Sequence, residues 1–334
     1  MPHTLLLVLL VFAPFVLAQA QTLQDLRPTP LNPPVNGGKH EGRSILMSPR
    51  LRGEKGGWGV SPALDKRPIP QEAGHFIFRD AQGNPAKPIT VWFYQPPGLS
   101  PAAPIVFVMH GIHRNARRYR DEWMPYARQY GFLLFAPEFA EDFYTETQYR
   151  YGNMFTHRGR PIPEAKWTFS AIEHLFDYIK QATNNQSATY FIYGHSAGGQ
   201  FVHRLILFQP NARIQRAIAA NPGVYALPDF AVKFPYGLQG SGLTPEKLQA
   251  AFARDFILLL GEQDIRTDDP DLPKTKEAKA QGKNRFERGW NFYRAARNVA
   301  VKFGARFHWQ LETVAGAAHQ NAQMAGAAAQ LLFQ

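Results

Sequence analysis

Short apolar runs alternate with longer amphipathic segments along the chain after residue 70. Most of these runs lack polar–apolar alternation, which is typical of strands buried on both faces of a sheet. In order they read PIVFVMHG, FLLFAPEF, ATYFIYGHS, IQRAIAANPG, DFILLLGEQD and RFHWQLETVAG. Between FLLFAPEF and ATYFIYGHS, one face of a predicted helix contains Phe169, Ile172, Leu175, Phe176 and Ile179. The alternation predicts an α/β fold with a mostly parallel central sheet and helices on both faces.

Two β-rich runs, HFIFRD and ITVWFYQP, precede this alternation. Residues 80–85 between them contain Asp, Gly, Asn and Pro, which favour a turn. Two strands joined by so short a turn pair as a hairpin. The sequence therefore predicts an antiparallel N-terminal edge on the parallel sheet.

Residues 1–20 have the pattern of an export signal. The apolar run from Leu5 to Leu17 is shorter than the roughly 20 residues that a transmembrane helix needs. Small residues at Ala18 and Ala20 then suit a signal-peptidase cleavage site. We predict cleavage after Ala20, no membrane anchor in the mature chain, and a secreted or periplasmic protein.

Residues 21–70 are rich in Pro, Gly and charge, and show neither the period of a strand nor that of a helix. Such a composition buries too little apolar surface to offset the entropy lost on ordering. The sequence therefore predicts a disordered linker over residues 21–70, followed by one domain over residues 71–334.

The chain contains no cysteine, which excludes disulfides and thiolate metal ligands. The net charge is +11, and part of this excess lies in the predicted linker. The basic residues there include Arg43, Arg50, Arg52, Lys55, Lys66 and Arg67. No run of basic residues is interleaved with stacking aromatics in a nucleic-acid-binding motif. We therefore predict a solvated basic surface and no nucleic-acid partner.

The stretch Gly194-His195-Ser196-Ala197-Gly198 fits the pattern G-x-S-x-G. Ser196 falls between a predicted buried strand and a predicted helix, and the flanking glycines avoid collisions in a sharp strand-to-helix turn. The helix N-terminus behind the serine favours developing negative charge. A serine in this place can instead cap the helix, but the strand-turn-helix setting favours a nucleophile.

A serine hydroxyl needs a base to take its proton. Among eleven histidines, His319 follows the last predicted strand in a loop of small residues, just before a predicted helix. This topology delivers a base to the carboxyl edge of the sheet. His195, beside the serine in sequence, is expected to pack next to the turn. The sequence therefore favours His319 as the base.

The acid that orients the imidazole is expected between the serine and the histidine along the chain. Asp264 lies a short turn beyond the strand DFILLLG and is our first candidate, with Glu262 as the alternative. Three later carboxylates are interpreted as solvated loop residues, in preference to helix caps or weak calcium ligands. They are Asp268, Asp269 and Asp271.

An acyl-transfer site also needs hydrogen-bond donors for the oxyanion. The backbone N–H of Ala197 lies at the predicted helix N-terminus, and the loop after PIVFVMHG offers that of Ile112. His110 is expected to steady this loop rather than to transfer a proton.

Two insertions rich in Tyr, Phe and Pro emerge at the catalytic edge of the predicted sheet, YTETQYRYGNMFTHRGRPIPEAKW and VYALPDFAVKFPYG. We interpret them as lids or walls of an apolar acyl pocket. Tyr225 and Phe230 are the predicted substrate contacts.

Four segments, VMHGIHRNARRY, YGHSAGGQF, LLLGEQD and VAGAAH, occur in this order along the chain. With them, the chain from about residue 74 resembles the α/β-hydrolases. More narrowly, it is similar to the esterases grouped with poly(3-hydroxybutyrate) depolymerases and feruloyl esterases. The resemblance implies that nucleophile, acid and base are Ser196, Asp264 and His319, the residues that the motifs favour.

The sequence thus predicts a serine hydrolase that cleaves carboxylic esters through an acyl-serine intermediate. Its substrate is expected to be a small-molecule or oligomeric ester, including polyester or aryl-ester compounds, and no metal or organic cofactor is expected. Two alternatives stay open. The same fold and triad can cut peptides or amides, and the aromatic loops of a catalytically silent module can bind an apolar ligand.

Overall fold

One eight-stranded sheet organises the protein in the computed structural model, which describes residues 72–334. The predicted signal peptide over residues 1–20 and the predicted linker over residues 21–70 lie outside the described residues. Within residues 72–334, no helix has the length and apolar character needed to cross a bilayer.

The strands follow the predicted apolar runs closely. They are β1 (Glu72–Phe78), β2 (Ile89–Gln95), β3 (Ile105–Met109), β4 (Leu133–Glu138), β5 (Tyr190–His195), β6 (Ile214–Ala220), β7 (Phe256–Gly261) and β8 (Gln310–Val314). Their order across the sheet is β1-β2-β4-β3-β5-β6-β7-β8. The β1–β2 and β2–β4 pairs are antiparallel, and all later pairs are parallel. The predicted fold, with its antiparallel N-terminal edge, is therefore confirmed.

Helices cover the sheet on both faces. They are α1 (Ala116–Tyr130), α2 (Glu146–Arg150), α3 (Thr168–Thr183), α4 (Ala197–Phe208), α5 (Pro245–Phe252), α6 (Lys276–Gln281), α7 (Arg285–Phe303) and α8 (Asn321–Leu332), with one 3-10 turn at Glu164–Lys166. Helices α1 and α8 pack on one face, and α3, α4, α5 and α7 pack on the other.

The core has two layers because successive residues of a strand point to opposite faces of the sheet. In β3, Phe107 and Met109 join the layer beneath α3 and α4, while Val106 and Val108 join the layer beneath α1 and α8. Both layers are apolar, which explains why the parallel strands read as continuous apolar runs. The predicted apolar face of α3 is fully buried in the first layer.

The chain runs from β3 outward to β4 and then returns to β5 on the other side of β3. Such a reversal of strand order opens a crevice at the carboxyl ends of the parallel strands. The loops after β3, β5, β7 and β8 all emerge at this edge. The fold therefore brings the segments that contain Ile112, Ser196, Asp264 and His319 to one side of the sheet.

The turn from β5 into α4 depends on two glycines. A β-carbon on Gly194 would overlap the carbonyl oxygen of Gly198, and one on Gly198 would overlap that of Met109. Any other residue would push α4 away from the ends of β3 and β5. The close approach explains both glycines of the G-x-S-x-G pattern in steric terms.

We expect Gly198→Ala to lower the free energy of unfolding by about 3 kcal/mol, because the added methyl group meets backbone that cannot move aside. Gly304→Ala is the matched control. Gly304 ends α7 with φ of 60° and open space around its α-carbon, so an alanine there costs about 1 kcal/mol of backbone strain alone. Chemical denaturation measures both values, and equal losses would contradict the steric account.

Candidate active site

Ser196 occupies the sharp turn between β5 and α4. Its backbone has φ of 58° and ψ of −114°, a conformation that costs a non-glycine residue free energy and that the packing around it must hold. The Ser196 N–H donates to the carbonyl oxygen of Ala220 on β6, at 2.9 Å. The turn therefore projects the hydroxyl beyond the end of the sheet, where it is partly exposed.

The structure brings the three candidate catalytic side chains into one hydrogen-bonded chain. His319 Nε2 lies 2.9 Å from Ser196 Oγ, and His319 Nδ1 lies 2.6 Å from Asp264 Oδ2. A carboxylate can only accept, so Nδ1–H donates to Asp264 and Nε2 is free to accept from the serine hydroxyl. Asp264 is 2 % exposed, and its carboxylate therefore fixes both the tautomer and the orientation of the ring.

Neighbouring loops hold the acid and the histidine against each other. The Asp264 N–H donates to the carbonyl oxygen of Gly261, and the Gln263 N–H donates to that of Ala317 in the loop of His319. Glu262, the alternative acid, is exposed and accepts from the Thr313 hydroxyl instead. Asp264 is thus the carboxylate that faces His319.

The two candidate oxyanion donors come from the turn of Ser196 itself and from the loop after β3. The first intrahelical bond of α4 runs from the Gln200 N–H to the Ser196 carbonyl oxygen, so the N–H of Ala197 precedes the helical ladder. Ile112 lies in the loop after β3 and lines the same cavity as Ser196. Both backbone groups therefore belong to loops or turns at the carboxyl edge, where Ser196 also lies.

His110 holds this loop in place, as the sequence predicts. Its Nδ1 lies 2.8 Å from the Gly111 carbonyl oxygen and its Nε2 accepts from the Phe139 N–H at 3.1 Å. Burial, assisted by the positive charge of Arg114, lowers the pKa of His110 to about 3. The ring is therefore neutral at physiological pH and acts as a bridge between backbone groups.

The cavity at Ser196 has a volume of about 380 Å³ and a mostly polar lining. It is lined by Gly111, Ile112, His113, Asn115, Arg118, Tyr119, Glu122, His195, Ser196, Asp269, Asp271, His319, Gln320 and Asn321. Arg118 forms an ion pair with Glu122 at 2.7 Å, and the His113 ring lies 3.0 Å from the Asp271 carboxylate. The cavity therefore offers many hydrogen-bonding groups to a ligand.

Solved structures place this chain in a family. Poly(aspartic acid) hydrolase-1 from Sphingomonas sp. KT-1 is 39% identical, with 80% of this chain and 100% of that chain covered and a TM-score of 0.77. LpqC, a poly(3-hydroxybutyrate) depolymerase from Bordetella parapertussis, is 37% identical over 79% of this chain and 90% of that chain, with a TM-score of 0.75. The chain belongs to the depolymerase-like esterase family of α/β-hydrolases.

A more distant structure shares the fold alone. An S-formylglutathione hydrolase from Agrobacterium tumefaciens is 17% identical and has a TM-score of 0.53, with 78% of this chain and 92% of that chain covered. No family model and no curated protein sequence matches the chain. The assignment of this hydrolase therefore depends on the two relatives above 30% identity.

The predicted acyl pocket needs correction. The two insertions of the hydrolase do enclose a cavity, of about 840 Å³, whose lining includes Tyr151, Phe155 and Phe234. Ser196 and His319 do not line it, because they line the smaller polar cavity. The aromatic loops therefore line a cavity that is distinct from the one at Ser196.

The predicted substrate contacts also lie elsewhere. Tyr225 is wholly buried and stacks on Phe292 with ring centroids 4.4 Å apart. Phe230 is half-buried and packs against the same core layer. Neither residue lines the cavity at Ser196. An aromatic-rich loop signals burial of its rings, and the sequence does not tell whether a ligand or the core buries them.

His195 packs beside the catalytic candidates as predicted, and it has a specific partner. Its Nδ1 lies 3.0 Å from the Tyr119 hydroxyl, and its ring centroid lies 4.7 Å from that of His319. Burial, with smaller contributions from the charges of His319 and Arg285, holds the pKa of His195 well below 6.5. This neutral ring forms one wall against which the His319 ring rests.

Sequence reasoning missed Arg285 entirely and misread Asp269. Arg285 Nη1 lies 3.0 Å from Asp269 Oδ2 and 3.5 Å from Asp264 Oδ1. Asp269 is therefore an ion-pair partner beside the active site and not a free solvated residue. The acidic run DDPD indicates only weakly that a cationic partner exists. It does not identify Arg285, which lies 16 residues after Asp269 along the chain.

Three buried histidines make the stability of the hydrolase dependent on pH. In the folded protein, burial lowers the pKa values of His110, His195 and His203 below 6.5. The unfolded chain then binds protons that the folded chain does not. This contribution to stability is complete above pH 6.5 and is lost as the pH falls towards the lowered values, which for His110 is about 3.

We expect His203→Gln to reduce the slope of unfolding free energy against pH by about 1.4 kcal/mol per pH unit between about pH 6 and 5. Glutamine can replace both bonds of His203, which donates to Gly199 and accepts from Ala226. His157→Gln, at an exposed position, controls for the loss of a histidine as such. Denaturant titrations at several pH values give the slope, and equal slopes in both variants would contradict the prediction.

Proposed function

We propose that this hydrolase cleaves carboxylic esters through an acyl-serine intermediate. Ser196 is the nucleophile, His319 the general base and acid, and Asp264 the group that orients the imidazole. The observation that carries the proposal is the continuous chain of hydrogen bonds from Asp264 through His319 to Ser196, at 2.6 and 2.9 Å. These are distances over which a proton passes between a nucleophile and its base.

The first half-reaction forms the acyl-enzyme. Ser196 Oγ attacks the ester carbonyl carbon while its proton passes to His319 Nε2. The N–H groups of Ala197 and Ile112 stabilise the oxyanion of the tetrahedral intermediate. When the intermediate collapses, the bond from the carbonyl carbon to the alcohol oxygen breaks, and His319 returns the proton to the departing alcohol.

The second half-reaction releases the acid. A water molecule gives a proton to His319 Nε2 and attacks the acyl carbon, and the new tetrahedral intermediate expels Ser196 Oγ. The proton on His319 returns to the serine. Throughout both steps the carboxylate of Asp264 accepts from Nδ1–H and stabilises the imidazolium that forms. All steps use side chains and backbone groups of this chain, and we propose that no cofactor takes part.

The polar lining of the cavity favours esters with short or polar acyl groups, including oligomers of small hydroxy acids. A long alkyl chain would cover hydrogen-bonding groups of Asn115 and Gln320 without replacing their water partners, which costs free energy. The LpqC relative is described as a poly(3-hydroxybutyrate) depolymerase. The polymer in that description is a polyester of short units. We propose that the enzyme meets such substrates outside the cytoplasm, after cleavage following Ala20.

Amide hydrolysis is the second candidate. The relative from Sphingomonas, at 39% identity, is described as a poly(aspartic acid) hydrolase, and poly(aspartic acid) is linked by amide bonds. The same three side chains can protonate a departing amine in place of an alcohol. Ester and amide substrates with the same acyl group therefore have to be compared directly.

A fluorophosphonate probe tests the nucleophile. We expect labelling at Ser196 in the purified protein, mapped by mass spectrometry, and none in His319→Ala, because the hydroxyl is then left without its base. Ser196→Ala should fold normally and lose about four or more orders of magnitude in p-nitrophenyl acetate hydrolysis. A folded, unlabelled protein would instead support a catalytically silent binding module.

A matched substrate panel tests the bond and the acyl group. We expect kcat/KM for p-nitrophenyl acetate to exceed that for the dodecanoate by about tenfold or more, since the cavity is polar. p-Nitrophenyl acetate and p-nitroacetanilide have the same acyl group and the same aromatic ring, so their kcat/KM values compare ester with amide hydrolysis. Preference for long acyl chains would contradict the assignment of the polar cavity as the acyl site, and turnover of the anilide that Ser196→Ala abolishes would favour the amide candidate.

A further inference from the structure

Arg285 is buried beside the candidate catalytic acid. It is the first residue of α7 and is 1 % exposed. The start of the helix is fixed, because the Asn284 side chain accepts from the Glu287 N–H at 2.9 Å. The next residue, Phe286, donates its N–H to the Asp264 carbonyl oxygen at 3.3 Å. The start of the helix is therefore bonded directly to the backbone of the candidate acid.

The two oxygens of the Asp264 carboxylate face different partners. Oδ2 of Asp264 accepts from His319 at 2.6 Å, while Oδ1 lies 3.5 Å from Arg285 Nη1. The same nitrogen donates to Asp269 Oδ2 at 3.0 Å. Among the described residues, Nε and Nη2 of Arg285 have no hydrogen-bond partner. Its side-chain ion pairs are therefore with these two carboxylates beside His319.

We propose that Arg285 is a positioning residue of the active site, which holds the Asp264 carboxylate turned toward His319. Together with Asp269 it sets how readily His319 takes the proton of Ser196. The inference rests on the proposed function, because it assigns His319 the role of base.

The sum of charges supports this role. A carboxylate as buried as that of Asp264 is costly to keep ionised unless a cation compensates it. With neutral His319, the charges of Asp264, Asp269 and Arg285 sum to one negative charge, and the imidazolium that forms during the reaction brings the sum to zero. Without Arg285, two carboxylates would face the ring and would hold a proton on it more tightly.

Other groups near these side chains are neutral or bound elsewhere. The hydroxyl of Tyr225 has a pKa well above 10, owing to burial and then to the charge of Asp264. Burial also keeps the His195 ring neutral. Arg288, on the same helix, donates to the carbonyl oxygens of Gly282, Gly223 and Pro273. Arg118, Glu122, His113 and Asp271 line the same cavity as His319 and contact one another in two pairs. The charged groups linked to His319 through a hydrogen bond and ion pairs are the two aspartates and Arg285.

The test is the pH dependence of kcat/KM for p-nitrophenyl acetate, whose acidic limb reports protonation of the base in the free enzyme. Arg285→Met removes a positive charge, so we expect the limb to move up by about one pH unit. The plateau should fall about tenfold or more, because the acid loses its support. Asp269→Asn removes a negative charge and should move the limb down.

Two further variants separate charge from folding. Arg285→Lys keeps the charge, so its limb should stay close to that of the unaltered enzyme while its plateau falls. Arg288→Met removes an equally buried arginine. Arg288 forms no ion pair with a carboxylate within residues 72–334, so this variant should lower stability without moving the limb. If Arg285→Met does not fold, the lysine and asparagine variants carry the test.

Limbs that stay in place in both Arg285→Met and Asp269→Asn, or that move in the same direction, would overturn the role of Arg285. Fluorophosphonate labelling of the unaltered protein keeps this failure distinct. Labelled Ser196 with unmoved limbs would remove the role of Arg285 alone, whereas an unlabelled Ser196 would remove the proposed function as well.

Discussion

The contact of α4 with the ends of β3 and β5 is the constraint on which the rest of the site depends. Gly194 and Gly198 let the helix approach backbone carbonyl groups with no side chain between them. Ser196 can hold a φ of 58° only because this contact fixes the residues on either side. The same contact places the helix N-terminus directly behind the hydroxyl, where unpaired N–H groups favour negative charge.

Burial then separates the histidines by role. His110, His195 and His203 are buried and neutral, and each bridges or braces loops at the carboxyl edge. His319 is partly exposed and is bonded on one side to a buried carboxylate. A ring that must gain and lose a proton needs both a charged partner and access to the cavity, and among these four His319 has both.

The sequence predicted the sheet, its antiparallel edge and the residues that form the hydrogen-bonded chain, because these depend on local patterns and on chain order. The continuous apolar run of β7 and the position of Asp264 just after it are readable in one stretch of sequence. The ion pair of Asp269 with Arg285 depends on where α7 begins relative to another loop, which no local pattern encodes. The same holds for Tyr225, since aromatic content alone does not distinguish a core ring from a pocket ring.

The net charge of +11 does not describe the site. Two cavity carboxylates have arginine partners: Glu122 pairs with Arg118, and Asp269 pairs with the buried Arg285. Pairing at these distances cancels most of the field of these two carboxylates in the cavity. We therefore expect the charge on His319 to depend on its immediate neighbours more than on the overall charge of the chain.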